Sequence, residues 1–137
     1  MNKFMGLVVI GLVFAQGAFA VCFDFTGKQP REVGPVRLAA RPTQVCVHTV
    51  KTFGGRKYYS VRFRDAEGDL AQLASQTELL GRCPGFCRTY TLTSGNSNGA
   101  NVNPDSTVVQ FQVETNEGKV TISHPSTRAM SYPVARQ

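Results

Sequence analysis

Two stretches of strict alternation commit this chain to extended structure. From Arg56 to Arg64, Lys57, Tyr59, Val61 and Phe63 fall on one side, and Arg56, Tyr58, Ser60, Arg62 and Arg64 on the other. From Thr107 to Thr115, Val109, Phe111 and Val113 alternate with Val108, Gln110 and Gln112. A period of two sends successive side chains to opposite faces of a strand, so each stretch offers one apolar face to a core. Gln44–Lys51, Phe86–Leu92 and Lys119–His124 extend the set. Thr52-Phe53-Gly54-Gly55, Asp65-Ala66-Glu67-Gly68 and Asn116-Glu117-Gly118 place glycines where tight turns need them. About five to seven short strands joined in this way predict an all-β, mainly antiparallel fold, a small barrel or a sandwich. Phe53, Tyr59, Val61, Phe63, Val109, Phe111 and Val120 are its expected core.

Residues 70–81 carry two patterns at once. Asp69–Ala74 reads as a strand returning from the turn at Gly68. Leu70, Leu73, Ala74 and Leu80 also share a helical face, and Ser75-Gln76-Thr77-Glu78 has the form of a capping box. One short helix within residues 70–81 is therefore part of the expectation. Thr93–Ser106, rich in Asn, Ser and Gly, predicts a long polar loop, either mobile or functional. From Pro125 onward the chain shows few order signals apart from Tyr132.

The N-terminus bears on compartment. Met1-Asn2-Lys3 is a short positive start, Phe4–Ala15 an apolar run, and Ala18-Phe19-Ala20 an A-x-A cleavage motif, the three parts of a signal peptide. Gln16 and Gly17 interrupt the run and Asp24 ends it before a comfortable spanning length, which weighs against an uncleaved anchor. Val21, not a small residue, precedes Cys22, which argues against a lipoprotein. Residues 1–20 are thus expected to be removed, leaving residues 21–137 as a single disulfide-stabilised β domain with no transmembrane span. Loss of Lys3 leaves 14 of the 15 basic residues against nine acidic ones, a mature net charge of +5. No Asn-x-Ser/Thr site is present. The expected location is periplasmic or extracellular, in a bacterium.

All four cysteines, Cys22, Cys46, Cys83 and Cys87, lie beyond the leader. An even count in an exported chain is the signature of a disulfide set, and three pairings are open to four cysteines. Locality favours Cys22–Cys46 and Cys83–Cys87, because Pro84-Gly85 can turn the short loop back within bridging distance. The chain-entropy model assigns about 3.5 kcal/mol to the longer loop and about 2 to the shorter. Cys46, His48, Cys83 and Cys87 would together form a zinc ligand set, but zinc needs thiolates that an oxidising compartment removes. A redox-active pair would have two intervening residues, where Cys83 and Cys87 have three. No metal and no cofactor are expected.

The best candidate for a binding surface is the outer side of residues 56–64. Arg56, Tyr58, Arg62 and Arg64 would project together, suited to forked contacts with phosphate or carboxylate and to stacking on a sugar or base. The competing reading is a solvated outer face. Asn101, Asn103 and Asp105 echo the start of a calcium loop, but Ser106 and Gln112 stand where glycine and the closing acid belong. His48 and His124 are the two imidazoles, with no nucleophile signature around them. The expectation is an exported, non-catalytic binding module. It would contact an anionic glycan, a lipid head group or an acidic protein, or act as an enzyme inhibitor. A small hydrolase using His48 or His124, and a structural envelope subunit, are the alternatives. Nucleic acid is an uncommon partner outside the cell, and no recognition motif for it is present.

Overall fold

A computed structural model describes residues 18–51, 54–102, 109–114, 118–125 and 127–137. The apolar part of the leader, Phe53, Asn103 and Asp105 lie outside the described residues. Every regular element among them is a strand: β1 (Ala18–Phe25), β2 (Glu32–Val33), β3 (Val36–Arg37), β4 (Gln44–Lys51), β5 (Lys57–Asp65), β6 (Gly68–Ser75), β7 (Glu78–Leu80), β8 (Cys87–Leu92), β9 (Ser94–Ser97), β10 (Ala100–Val102), β11 (Val109–Glu114), β12 (Lys119–His124) and β13 (Thr127–Arg136). All pairings are antiparallel. Among the described residues no helix is long and apolar enough to cross a membrane.

The sheet is a closed barrel. Its hydrogen-bonded order is β10-β9-β6-β5-β4-β1-β13-β12-β11-β8-β7. The two ends of that order are not free edges in the usual sense, because β6 and β7 are halves of one strand and β8 and β9 halves of the next. Ala71 opposes Ser97, Ala74 opposes Ser94, Glu78 opposes Tyr90 and Leu80 opposes Arg88, all in one register. Joining the halves and setting the short β10 aside turns the 11-stranded order into a ring of eight staves, each beside its neighbour in sequence, with β13 closing on β1. Closure removes most of the exposed edges that an open sheet would present, leaving β7 and β10 each paired on one side among the described residues. A ring of eight is just wide enough for side chains to fill.

The fill is aromatic at its centre. Tyr59, Val61, Phe63, Val109, Phe111 and Val120 are all buried, as the alternation predicts. Phe63 meets Phe111 edge-on at 5.8 Å, Phe111 lies 6.4 Å from Tyr90, and Tyr90 5.4 Å from Tyr59, spacings within the favourable range for ring pairs. Between β1 and β4 the chain leaves the wall for residues 26–43, forms the β2–β3 hairpin, and buries Val33, Val36 and Leu38. That excursion plugs the end of the barrel where β1 and β5 finish. Gly34 takes a φ of +62° in its turn, and a Cβ there would lie 2.6 Å from Val109 Cγ2.

Three expectations need correction. The segment 70–81 holds no helix: Ala71, Leu73 and Ser75 face inward as β6, because the outer edge of β5 needs a ladder partner that a helix cannot supply. Ser75 Oγ accepts the Thr77 N–H at 3.2 Å and donates to Thr77 O at 2.7 Å, so the expected capping residue instead makes a bend between β6 and β7. The Thr93–Ser106 stretch is not wholly loop, since β9 and β10 form a hairpin about Asn98-Gly99, both at positive φ. Asn98 then ties the hairpin to the plug: its Oδ1 accepts the Ala39 N–H at 2.9 Å and its Nδ2 donates to Arg37 O at 3.0 Å. Finally, residues Thr127–Arg136 are ordered as β13, the strand that closes the ring.

Disulfides join Cys22 to Cys46 and Cys83 to Cys87, and no described cysteine is free. Cys22 and Cys46 are direct cross-strand partners of β1 and β4, with Cα atoms 4.1 Å apart. Cys83–Cys87 clamps the tip of the long β6–β9 hairpin. Two such bridges are compatible with an exported protein.

Candidate functional site

The arginines of β5 stand on the outer wall, but they are not alone there. Arg64 Nε lies 2.9 Å from Asp69 Oδ1, and Arg62 Nη1 lies 4.0 Å from Asp69 Oδ2. Gln72 Nε2 also donates to Asp69 Oδ2, at 3.1 Å. The shift in β5–β6 register beside Arg64 brings Asp69 opposite that arginine and within reach of both guanidiniums. Arg62 Nε further donates to Ser60 Oγ at 3.3 Å. Tyr58 is partly exposed and pairs with Val50, while Arg56 precedes the strand and is exposed. Tyr58 and Arg64 are six residues apart, about 20 Å along a strand. The four residues therefore share a face without converging on one point.

His48 borders this face, opposite Ser60. Its Nδ1 is buried with no hydrogen-bond partner among the described residues. Burial, and then the Arg62 charge, hold its pKa below the ordinary value for histidine, against a smaller opposing pull from Asp69. A histidine acting as general base is usually oriented through its second ring nitrogen, and among the described residues no carboxylate or hydroxyl bonds His48 Nδ1. His124 ends β12, beside Gly34 of the plug. The candidate zinc ligands Cys46, Cys83 and Cys87 are in the bridges, and no group of three metal-ligating side chains occurs among the described residues.

A different site forms where the plug meets the β12–β13 hairpin. It is a groove of about 360 Å³. Lys28, Arg31 and Arg41 of the plug and Arg128 of β13 line it, with Glu32 as the one acidic group. Its floor includes Ile122, Met130 and Tyr132, inward-facing residues of the two strands at the plugged end. None of the four cations takes part in an ion pair among the described residues. Burial, and then the Glu32 carboxylate, push the Tyr132 phenol above its ordinary pKa, so it stays a neutral hydroxyl in the groove. Four fixed positive charges around an apolar floor suit acidic groups carried on a sugar or lipid body.

Sequence reasoning missed this groove because its cations have no common period. Three come from a segment without alternation, and the fourth from a stretch that shows few order signals. The density of basic residues between Lys28 and Arg41 is the signal that could have flagged three of its four cations. The chain matches no protein-family model, and no curated protein or solved structure is significantly similar to it. A plugged up-and-down barrel with a cationic groove at the plugged end is thus the class that the fold and the site define.

Proposed function

We propose that the chain is an exported, non-catalytic binding module whose groove holds the acidic groups of an anionic envelope component, a glycan or a lipid head group. One observation carries this: Lys28, Arg31, Arg41 and Arg128 converge with a single carboxylate, Glu32, and no ion pair between them among the described residues. Cations held by the fold without partners keep their electrostatic attraction for an incoming anion, whereas paired ones must first give up a contact. The Arg56–Arg64 face is the subsidiary surface, able to extend contact with a long polyanion.

The test uses Arg41→Ser/Arg128→Ser beside Arg62→Ser/Arg64→Ser, each measured on vesicles with and without anionic lipid and on a soluble acidic polysaccharide. At about 1 kcal/mol per charge near an anionic surface, the groove pair is expected to lose roughly 30-fold in affinity. The wall pair is expected to change it by less than about threefold. Loss on vesicles alone assigns the lipid head group, and loss on polysaccharide alone the glycan. Equal losses for the two double variants overturn the groove as the site.

A further inference from the structure

At the end of the barrel opposite the plug, the wall has a gap. The ladder between β5 and β6 ends at Tyr59–Ser75. Beyond it the bend at Ser75–Thr77 leads β7 away, so Lys57 and Tyr58 on one side and Glu78–Leu80 on the other have no ladder partner across the gap among the described residues. β7 pairs with β8 alone among those residues.

The direction of its free backbone groups follows from the register. Gly81 N–H donates to Cys87 O at 2.8 Å, which makes Gly81–Cys87 a hydrogen-bonded pair. Antiparallel ladders alternate, so Leu79 also bonds toward β8 while the N–H and C=O groups of Glu78 and Leu80 point into the gap. Leu79 and Leu80 are 66% and 69% exposed, the large aliphatic side chains most open to solvent among the described residues.

The gap opens into a cavity of about 170 Å³. Val21, Val47, Tyr59, Tyr90 and Phe86 give it apolar walls, and Phe86 is carried there by the loop that Cys83–Cys87 clamps. Phe86 lies 5.6 Å from Phe23 and under the Arg88 guanidinium at 4.7 Å, so the clamped loop forms a fixed wall. A cavity of about 150 Å³ holds a benzene ring, so this one accepts a single aromatic or branched aliphatic side chain. The rim is positive in excess. Glu78 is engaged by Arg88, at 3.6 Å, and by the Tyr90 hydroxyl, at 3.5 Å, while Lys57, which also lines the cavity, is exposed and in no ion pair among the described residues.

We infer that this mouth is a docking site for an extended segment of a partner protein, which adds a strand to β7 and drops one apolar side chain into the cavity beside an acidic residue. Strand addition takes its affinity from main-chain bonds and its selectivity from alternate side-chain pockets. Both parts are on one edge here. A partner residue paired with Glu78 lies on the same face as Glu78, which lines the cavity, so the anchor side chain is aimed inward by the ladder itself. Lys57, the lining cation that Glu78 does not offset, selects the neighbouring carboxylate. This site is at the other end of the barrel from the groove and stands without it.

The experiment is selection of a random linear heptapeptide phage library on the oxidised protein, followed by affinities of the recovered peptides for three variants. Leu80→Pro removes an N–H that points into the gap and leaves the ladder to β8 intact, and Thr49→Phe fills the cavity from β4. Recovered peptides are expected to share an aromatic or branched apolar residue next to Asp or Glu. They should bind each of these variants at least about tenfold more weakly, and bind Arg41→Ser/Arg128→Ser as tightly as the parent. Failure of any sequence to enrich, or equal binding to the parent and to Thr49→Phe, overturns the proposal. So does a parent dimer that Leu80→Pro makes monomeric, since the edge then takes a second copy of the chain.

Discussion

The outer wall around β5 and the groove beside the plug each gather arginines, yet they differ in what the fold puts next to them. On the wall, Asp69 sits between Arg62 and Arg64, so two guanidiniums share one carboxylate and hold each other's geometry through it. In the groove, Lys28, Arg31, Arg41 and Arg128 come from a plug and from β13, and Glu32 is the single acid among them. Cations on one strand have neighbours fixed by cross-strand register, and register supplies an acid as readily as a base. Cations brought together from separate segments escape that pairing. The lesson is that a basic stripe in a sequence measures charge, while a basic groove in a fold measures charge left available.

The largest effect expected from this contrast is in charge reversal. Arg41→Glu/Arg128→Glu changes the groove by four charge units and is expected to weaken binding to anionic vesicles by roughly a hundredfold or more. Retention of parent affinity in a vesicle co-sedimentation assay would remove the distinction between the two regions. Next comes Asp69→Asn, which frees the wall arginines. It should raise affinity for the same vesicles by about fivefold at low ionic strength, with the gain lost at high salt. No gain would mean that Asp69 was not what kept the wall quiet.

A smaller effect is expected in stability. Arg64→Ser breaks a half-exposed ion pair, and such pairs contribute about 0.2–1 kcal/mol, so urea unfolding should shift by no more than that. Arg128→Ser, with no ion pair to lose among the described residues, should leave the unfolding midpoint in place. The smallest effect is in pH dependence. His48 has its folded pKa lowered by burial and by Arg62, so the unfolded chain takes up a proton first as pH falls below about 6.5. Its contribution to stability is complete above that pH and is lost as pH falls through the folded value. In Asp69→Asn the opposing pull on His48 is gone, so its NMR titration should move to still lower pH. A move upward would show that Asp69 does not raise the His48 pKa.

Much of the barrel is legible in the alternation of residues alone. β4 and β12 have the bounds that alternation gives, β5 and β8 differ from it by one residue at their ends, and the described part of β11 lies within the stretch it marks. Tyr59, Val61, Phe63, Val109, Phe111 and Val120 are buried because a period of two leaves them one face to occupy. Less legible is the long β6–β9 hairpin. Leu70, Leu73 and Leu80 fit a helix as well as a strand, and propensity cannot weigh the unpaired edge of β5 that decides between them. Asn98-Gly99 does carry a hairpin signal, but the polar residues around it mask the flanking strands. β13 is hidden for another reason. Most of its residues are exposed, with Tyr132 and Val134 buried, so it shows little apolar alternation although it closes the ring.

The sequence by itself determined that the chain forms strands, which side of most of them faces the core, and that two cysteine pairs lie close enough in the chain to be bridged. These are local properties, set by residues two to a few tens of positions apart. Whether the sheet closes, which arginines meet an acid, and where a gap is left in the wall were decided by tertiary structure. Each depends on register between segments distant in the chain, and register is fixed only when the whole ring of hydrogen bonds is satisfied at once.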